Sequence, residues 1–99
     1  MEEKYMEAPD IVTWVDSEEA KLHLEIGLVN IQKEDITVMV DESGYYLSAH
    51  GEGIDYVAAA SFLRPVKPVE VKATFSDGFL RMEVPLRDPL ENYVKVPVE

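Results

Sequence analysis

The fold is decided by the stretch VEVKATFSDGFLRMEVPL, residues 69–86. Its apolar residues alternate with polar ones in two halves, residues 69–75 and 80–86, and this period of two is typical of β-strands with one buried face. Ser76-Asp77-Gly78 between the halves has the composition of a tight hairpin turn. The stretch therefore predicts two strands joined by a short turn.

The same alternation recurs toward the N-terminus. It is visible in residues 21–26, 36–40 and 45–50, and residues 11–15 form an apolar run rich in β-branched residues. Asp16-Ser17-Glu18-Glu19 and Asp41-Glu42-Ser43-Gly44 are interpreted as turns, with Gly44 expected to supply a positive φ. These features predict a series of short strands.

Two segments are less regular. Residues 32–35 are polar and are expected to form a single helical turn. In residues 54–63 the run Ala58-Ala59-Ala60 favours helix while its surroundings favour sheet, and we expect a strand from about Val57.

The pattern as a whole predicts an all-β, two-layer antiparallel sandwich of about seven to eight strands, because no segment is suited to a helix longer than one turn. Residues 1–9 show no period and are expected to form a short N-terminal arm. Residues 10–87 would form the sandwich, and residues 88–99 a C-terminal extension.

Composition excludes several classes of function. The 99 residues carry Lys+Arg 9 against Asp+Glu 20, a net charge of -11, which argues against nucleic acid and anionic membrane as partners. Cysteine is absent, and no apolar run approaches the roughly 20 residues of a membrane span. A cytoplasmic location is expected.

Few residues suggest catalysis or metal binding. His23 and His50 both fall on the polar side of predicted strands and are interpreted as solvated. The carboxylate pairs lie in turns, and Trp14 is expected to be partly buried core. The sequence therefore predicts no catalytic residue, no metal site, no cofactor and no enzymatic activity.

The extension contains Val94-Lys95-Val96, in which two β-branched side chains lie on the same side of an extended segment. Such a pair is suited to adding a strand to the edge of another sheet. It is equally suited to a last strand of the same domain, and the spacing alone leaves both interpretations open.

Three segments resemble the α-crystallin domain of small heat-shock proteins. Residues 72–85 are similar to the family signature of an Ala, a Gly-x-Leu and a strand closing on Pro; residues 27–38 resemble its Leu-Pro-Gly-Val-x-Lys-Glu-Asp-Ile segment; and Phe62-Leu63-Arg64-Pro65 stands where the family has Phe-x-Leu-Pro. Order and spacing agree from about Asp10 to Leu86.

The resemblance implies ATP-independent holding of unfolding proteins, with self-association through the C-terminal motif. Family members bind an Ile-x-Ile/Val motif of a neighbouring subunit in a groove between two strands, which here correspond to Ile36–Val40 and Val69–Ala73. On this basis the binding motif is Val94 and Val96, and the groove residues are Val38, Val40, Val69 and Val71.

The chain also departs from the family. Ile26-Gly27-Leu28 lacks the proline of the family motif, and the loop 51–60 is shorter than the loop that carries a partner-swapped strand in microbial relatives. We therefore expect a dimer or small oligomer. The alternatives are a CS-domain-like co-chaperone or regulatory domain that docks on a folded partner, and a sugar-binding module that uses Trp14, Tyr45 and Tyr46.

Overall fold

The computed structural model describes residues 5–99 and places eight strands of this range in two facing sheets. A single 3-10 turn, Pro68–Glu70, precedes the seventh strand. The strands are β1 (Tyr5–Glu7), β2 (Ile11–Asp16), β3 (Lys21–Gly27), β4 (Ile31–Val40), β5 (Gly44–Gly51), β6 (Ile54–Ser61), β7 (Lys72–Ser76) and β8 (Phe79–Pro85).

The two sheets have four strands each. One has the order β1-β6-β5-β4 and the other the order β2-β3-β8-β7. All neighbours are antiparallel except β1 and β6, which run parallel. The predicted all-β sandwich is confirmed. No helix within residues 5–99 is long and apolar enough to cross a membrane.

The core lies between the inner faces of the two sheets. Leu24 pairs with Met82 and Ile26 with Leu80, and all four side chains are buried, as is Leu47 of the facing sheet. Each such side chain contributes roughly 1.5–3 kcal/mol through burial. The alternation in the sequence thus marks the faces of these strands correctly.

The β7–β8 hairpin has the tight turn that its sequence predicts. Asp77 and Gly78 both have positive φ, 55° and 81°. Two consecutive residues of this kind match the right-handed twist of the flanking strands. The register therefore places Phe75 opposite Leu80 and Ala73 opposite Met82, on the buried face.

The role expected for Gly44 was wrong. The described residues with positive φ do not include it. Gly44 instead begins β5 opposite Ser61, where an added Cβ would lie 2.6 Å from the carbonyl oxygen of Ala60. A glycine fits here because two backbones approach closely.

Several element boundaries also differ from the sequence-based expectation. Residues 32–35 belong to β4, where the register shifts between Ile31 and Ile36, and β6 begins at Ile54 before the expected start near Val57. β4 pairs with one side of β5 and β6 with the other, and this pairing overrides the local preferences of the two segments. Tyr5–Glu7, expected in the arm, forms β1, while residues 1–4 lie outside the described residues.

Candidate protein-binding groove and tail

The predicted groove strands lie at one side of the sandwich. β4 is the last strand of the first sheet and β7 the last strand of the second. The opposite ends of the two sheets also coincide, because β2 and the C-terminal part of β6 line a common cleft. The two sheet edges formed by β4 and β7 therefore face each other across the interior; we call this side the first edge.

On β4 the side chains that face the interior are aliphatic and half-buried. Val38 is paired with Leu47, and Val40 with Tyr45, both of which are buried. Directly paired residues share a face of the sheet, so Val38 and Val40 face the interior. They pack against the core on one side while remaining partly exposed at the edge.

On β7 the corresponding positions are only partly those that were predicted. Val71, just before the strand, is half-buried and packs against the core, as does Phe75. Val69 lies in the 3-10 turn and is 95% exposed. Because Pro68 begins a turn, the extended segment expected from Val69 begins only at Lys72.

The C-terminal extension does not form a strand of its own domain. Within the described residues, no backbone hydrogen bond joins Val94–Glu99 to the sandwich. Val94 is 84% exposed and Val96 is 73% exposed. Of the two interpretations that the spacing left open, the structure therefore disfavours a last strand of the same domain.

The root of the extension, in contrast, is fixed. Arg87 donates hydrogen bonds from Nη1 to Glu42 Oε2 and from Nε to Glu91 Oε2, and each is 2.8 Å long. The hydrogen bond and charge of Glu91, and then those of Glu42, raise the pKa of Arg87. Since Glu42 is the second residue after β4, the extension leaves the sandwich beside one end of the first edge.

The other side of the sandwich, which we call the second edge, contains an apolar cleft of about 540 Å³. In the part of the chain that the structure describes, β1 pairs with residues 54–56 of β6 alone, which leaves residues 57–61 as an open edge opposite β2. The cleft is lined mainly by Thr13, Trp14, Val15, Leu22, Leu24, Tyr45, Ala60, Ser61, Phe62, Leu63, Arg64 and Leu86.

Trp14 is not core, contrary to the sequence-based expectation. It pairs with His23 on the outer face of its sheet, is 46% exposed, and its ring is stacked on the imidazole at a centroid distance of 5.2 Å. His23 thus lies on the outer face as predicted. His50 forms a 3.1 Å hydrogen bond with Asp55.

Of the three aromatic residues named for a sugar-binding module, Trp14 and Tyr45 both line the second-edge cleft, whereas Tyr46 does not. Tyr45 faces the interior, where burial raises its pKa, while Tyr46 points to the outer face of the same sheet. Trp14 lies on the outer face of the other sheet. These three rings therefore form no common surface for a sugar.

Sequence reasoning missed some residues of these surfaces. Ile36 and Phe75 are in phase with the nominated groove residues and are half-buried on the same faces. The continued alternation could have identified both. Phe62 and Leu63 of the cleft follow the end of β6, and no periodicity marks them.

Comparison with solved structures identifies the fold. Heat shock protein 16.0 from Schizosaccharomyces pombe matches with a TM-score of 0.73 and 14% identity over 93% of this chain and 83% of that one. HSP18.5 from E. histolytica gives a TM-score of 0.73 and 11% identity, covering 96% of this chain and 100% of that one. A small heat-shock protein from Xylella fastidiosa gives 0.73 and 14%, covering 93% and 96%.

At the level of sequence, no family model and no curated protein matches the chain. The structural likeness is nevertheless consistent across a yeast, an amoeba and a bacterium. The chain has the α-crystallin-type β-sandwich fold of small heat-shock proteins.

Proposed function

We propose that this protein is an ATP-independent chaperone of the small heat-shock type, which holds unfolding proteins and limits their aggregation. The proposal rests on one observation: the same chain has both an exposed Val94-Lys95-Val96 segment and an apolar, half-buried first edge. The fold found in small heat-shock proteins supports the same assignment.

The charge of the chain fits such a role. A holding chaperone needs apolar surface for its clients and enough charge to keep the complex in solution. The net charge of -11 supplies the second requirement. The first edge and the second-edge cleft supply the apolar surface. The proposed function needs neither a cofactor nor a catalytic residue.

Self-association is proposed to use the extension of one subunit and the first edge of another. In an extended segment Val94 and Val96 are about 7 Å apart on one side, the same spacing as Val38 and Val40 on β4. The open backbone of an edge strand can pair with the incoming segment, while Val71 borders the groove. A cytoplasmic dimer or small oligomer is the proposed state.

The tail contact is tested with the double variant Val94→Asp, Val96→Asp. Each aspartate placed in an apolar groove costs about 1–3 kcal/mol, which weakens association by roughly 5- to 150-fold per residue. Light scattering after size exclusion should therefore report a lower mass, with an unchanged far-UV circular dichroism spectrum.

The matched control is Asn92→Asp with Ser17→Asp, which adds the same two negative charges at exposed positions outside the motif. It should retain the mass of the native chain. An unchanged mass for the valine variant, or an equal fall for the control, would reject the groove and motif.

Chaperone activity is tested by the turbidity of a heat-denatured client protein. Suppression of aggregation at near-stoichiometric ratios is expected. If the folded protein leaves the turbidity unchanged, the holding function is wrong, and docking on a folded partner, as in CS-domain co-chaperones, becomes the better explanation.

A further inference from the structure

The β2–β3 hairpin brings together three metal-ligating side chains, of which His23 was interpreted as solvated and Asp16 and Glu19 as parts of a turn. Asp16, Glu19 and His23 each offer one ligand atom, and these atoms all lie within 4.8 Å of one another. The cluster lies apart from the groove residues and from the tail motif.

The hairpin itself sets this geometry. Trp14 pairs with His23 and Asp16 with Lys21, so Asp16 and His23 share the outer face of the sheet. Ala20 has a positive φ of 53° in the turn, which returns the chain and leaves Glu19 beside them. All three ligands thus come from eight consecutive residues, 16–23, of one folded unit.

Two contacts orient the donor groups. The imidazole of His23 is stacked on the indole of Trp14, with an angle of 6° between the ring planes. Asp16 Oδ1 accepts the backbone N–H groups of Glu18 and Glu19 at 3.1 and 3.2 Å. Among residues 5–99, none of these backbone bonds is made to its other carboxylate oxygen, which can therefore face a cation.

A competing cation lies next to the cluster. Lys21 Nζ is 3.6 Å from Glu19 Oε2, but it is also 3.8 Å from Glu83 Oε2. When Glu19 turns to a bound ion, Lys21 therefore retains a carboxylate partner. The lysine reduces the affinity of the cluster for metal without blocking it.

We propose that Asp16, Glu19 and His23 bind one divalent transition-metal ion of the Zn²⁺ class. One imidazole nitrogen and two carboxylate oxygens are a set that zinc accepts, with water as the fourth ligand, whereas Ca²⁺ and Mg²⁺ prefer oxygen alone. The two carboxylates also balance the charge of the ion. Bound metal links β2 to β3 and so stabilises β2, the strand at the second edge.

The test is calorimetric titration of the full chain with zinc chloride, together with quenching of tryptophan fluorescence by Cu²⁺. Trp14 is the only tryptophan, so its emission reports directly on an ion bound at the stacked His23. We expect one saturable equivalent of zinc, saturable quenching by Cu²⁺, and a rise in the melting temperature with zinc.

Conservative variants distinguish zinc binding at this cluster from weak zinc binding by the overall negative charge of the protein. Asp16→Asn preserves an oxygen for the turn hydrogen bonds, and His23→Gln removes the nitrogen ligand. Loss of a supporting neighbour alone typically lowers metal affinity by about 10–100-fold, so each variant should weaken zinc binding at least tenfold. Lys21→Met should tighten binding, because it removes the competing ammonium.

His50→Gln is the matched control, since the only other histidine has Asp55 as its neighbour and lies outside the cluster. It should bind zinc like the native chain. The proposal is overturned if zinc binding is weak and non-saturating, if His23→Gln binds normally while remaining folded by circular dichroism, or if His50→Gln removes the binding.

Discussion

The strands at the two edges of the sandwich have similar alternating sequences, but their interior-facing side chains differ in exposure. At the first edge, Val38 and Val40 of β4 face buried partners and are themselves half-buried. At the second edge, Thr13 and Val15 of β2 are paired with Leu24 and Leu22 on the interior face, yet both are exposed. Alternation therefore gives the face of a strand but not how well that face is covered.

The difference follows from what covers each edge strand. β4 is backed by the core over residues 36–40. β2 faces the part of β6 that β1 does not reach, and the gap is the apolar cleft of about 540 Å³. The first edge is thus packed from within and the second is open, although both are made of β-branched residues.

The strongest test of this contrast is one substitution at both edges. Val38→Asp places a charge beside the buried Leu47 and should lower the free energy of unfolding by about 3 kcal/mol. Val15→Asp lies on the same interior face, but it is 56% exposed and should cost about 1 kcal/mol or less. Urea unfolding measures both.

Far-UV circular dichroism of both variants before unfolding ensures that folded proteins are compared. Equal losses at the two positions would contradict the open second edge, because they would show that Val15 is covered in solution. If the stability of the native chain rises with protein concentration and that of Val15→Asp does not, the cover is another copy of the chain.

A smaller loss is expected from Gly44→Ala, which affects the end of β6 that lines the cleft. The new Cβ would lie 2.6 Å from the carbonyl oxygen of Ala60, so the β5–β6 pair must shift. We expect a loss of about 2 kcal/mol in chemical unfolding.

Gly53→Ala is the comparison for this prediction. An added Cβ there meets no atom within 4 Å, and the change carries only the strain of a φ of 79°, a cost of about 1 kcal/mol. If Gly53→Ala is the more damaging of the two, the close approach at Gly44 does not limit stability.

The elements that sequence reasoning predicted well are those in which local signals agree. The β7–β8 hairpin combines alternation with a turn residue pair that has positive φ, and its turn and last strand were placed correctly. The helical turn expected for residues 32–35 was wrong because Ile31 and Ile36 on either side of them pair with β5, which is distant in sequence. Residues 58–60 form the expected strand, but pairing with β5 starts β6 earlier, at Ile54. Tertiary pairing is invisible to a local period.

The candidate surfaces show the same limit. Val38 and Val40 were nominated from the family resemblance together with the alternation of residues 36–40, and both face the interior of the sandwich. Val69, nominated in the same way, lies in a turn because Pro68 begins one. The cluster of Asp16, Glu19 and His23 was not recognised in the sequence, because spacing alone does not show that a hairpin brings them to within 4.8 Å of one another. Short-range geometry created by a turn requires the folded chain.

The smallest predicted effect concerns the turn that follows β4 at the first edge. Asp41 Oδ1 accepts hydrogen bonds from Ser43 Oγ, from Ser43 N–H and from Gly44 N–H, and the side-chain bond from Ser43 is the largest cause that lowers the pKa of Asp41 from its ordinary 3.8. Because the pKa of Asp41 is lower in the folded state, its carboxylate stabilises the protein at pH values above the ordinary pKa. This contribution is lost as the pH falls through the folded-state pKa.

Asp41→Asn should therefore be less stable than the native chain at neutral pH, and the difference should shrink as the pH falls below 3.8. Thermal unfolding followed between pH 7 and the acid range measures this, with Ser43→Ala as a partial version that removes only the hydroxyl. A difference that stays constant down to the lowest pH would show that the turn needs the shape of Asp41 and not its charge. The charge of Asp41 would then contribute nothing to stability at the first edge beyond the packing of its side chains.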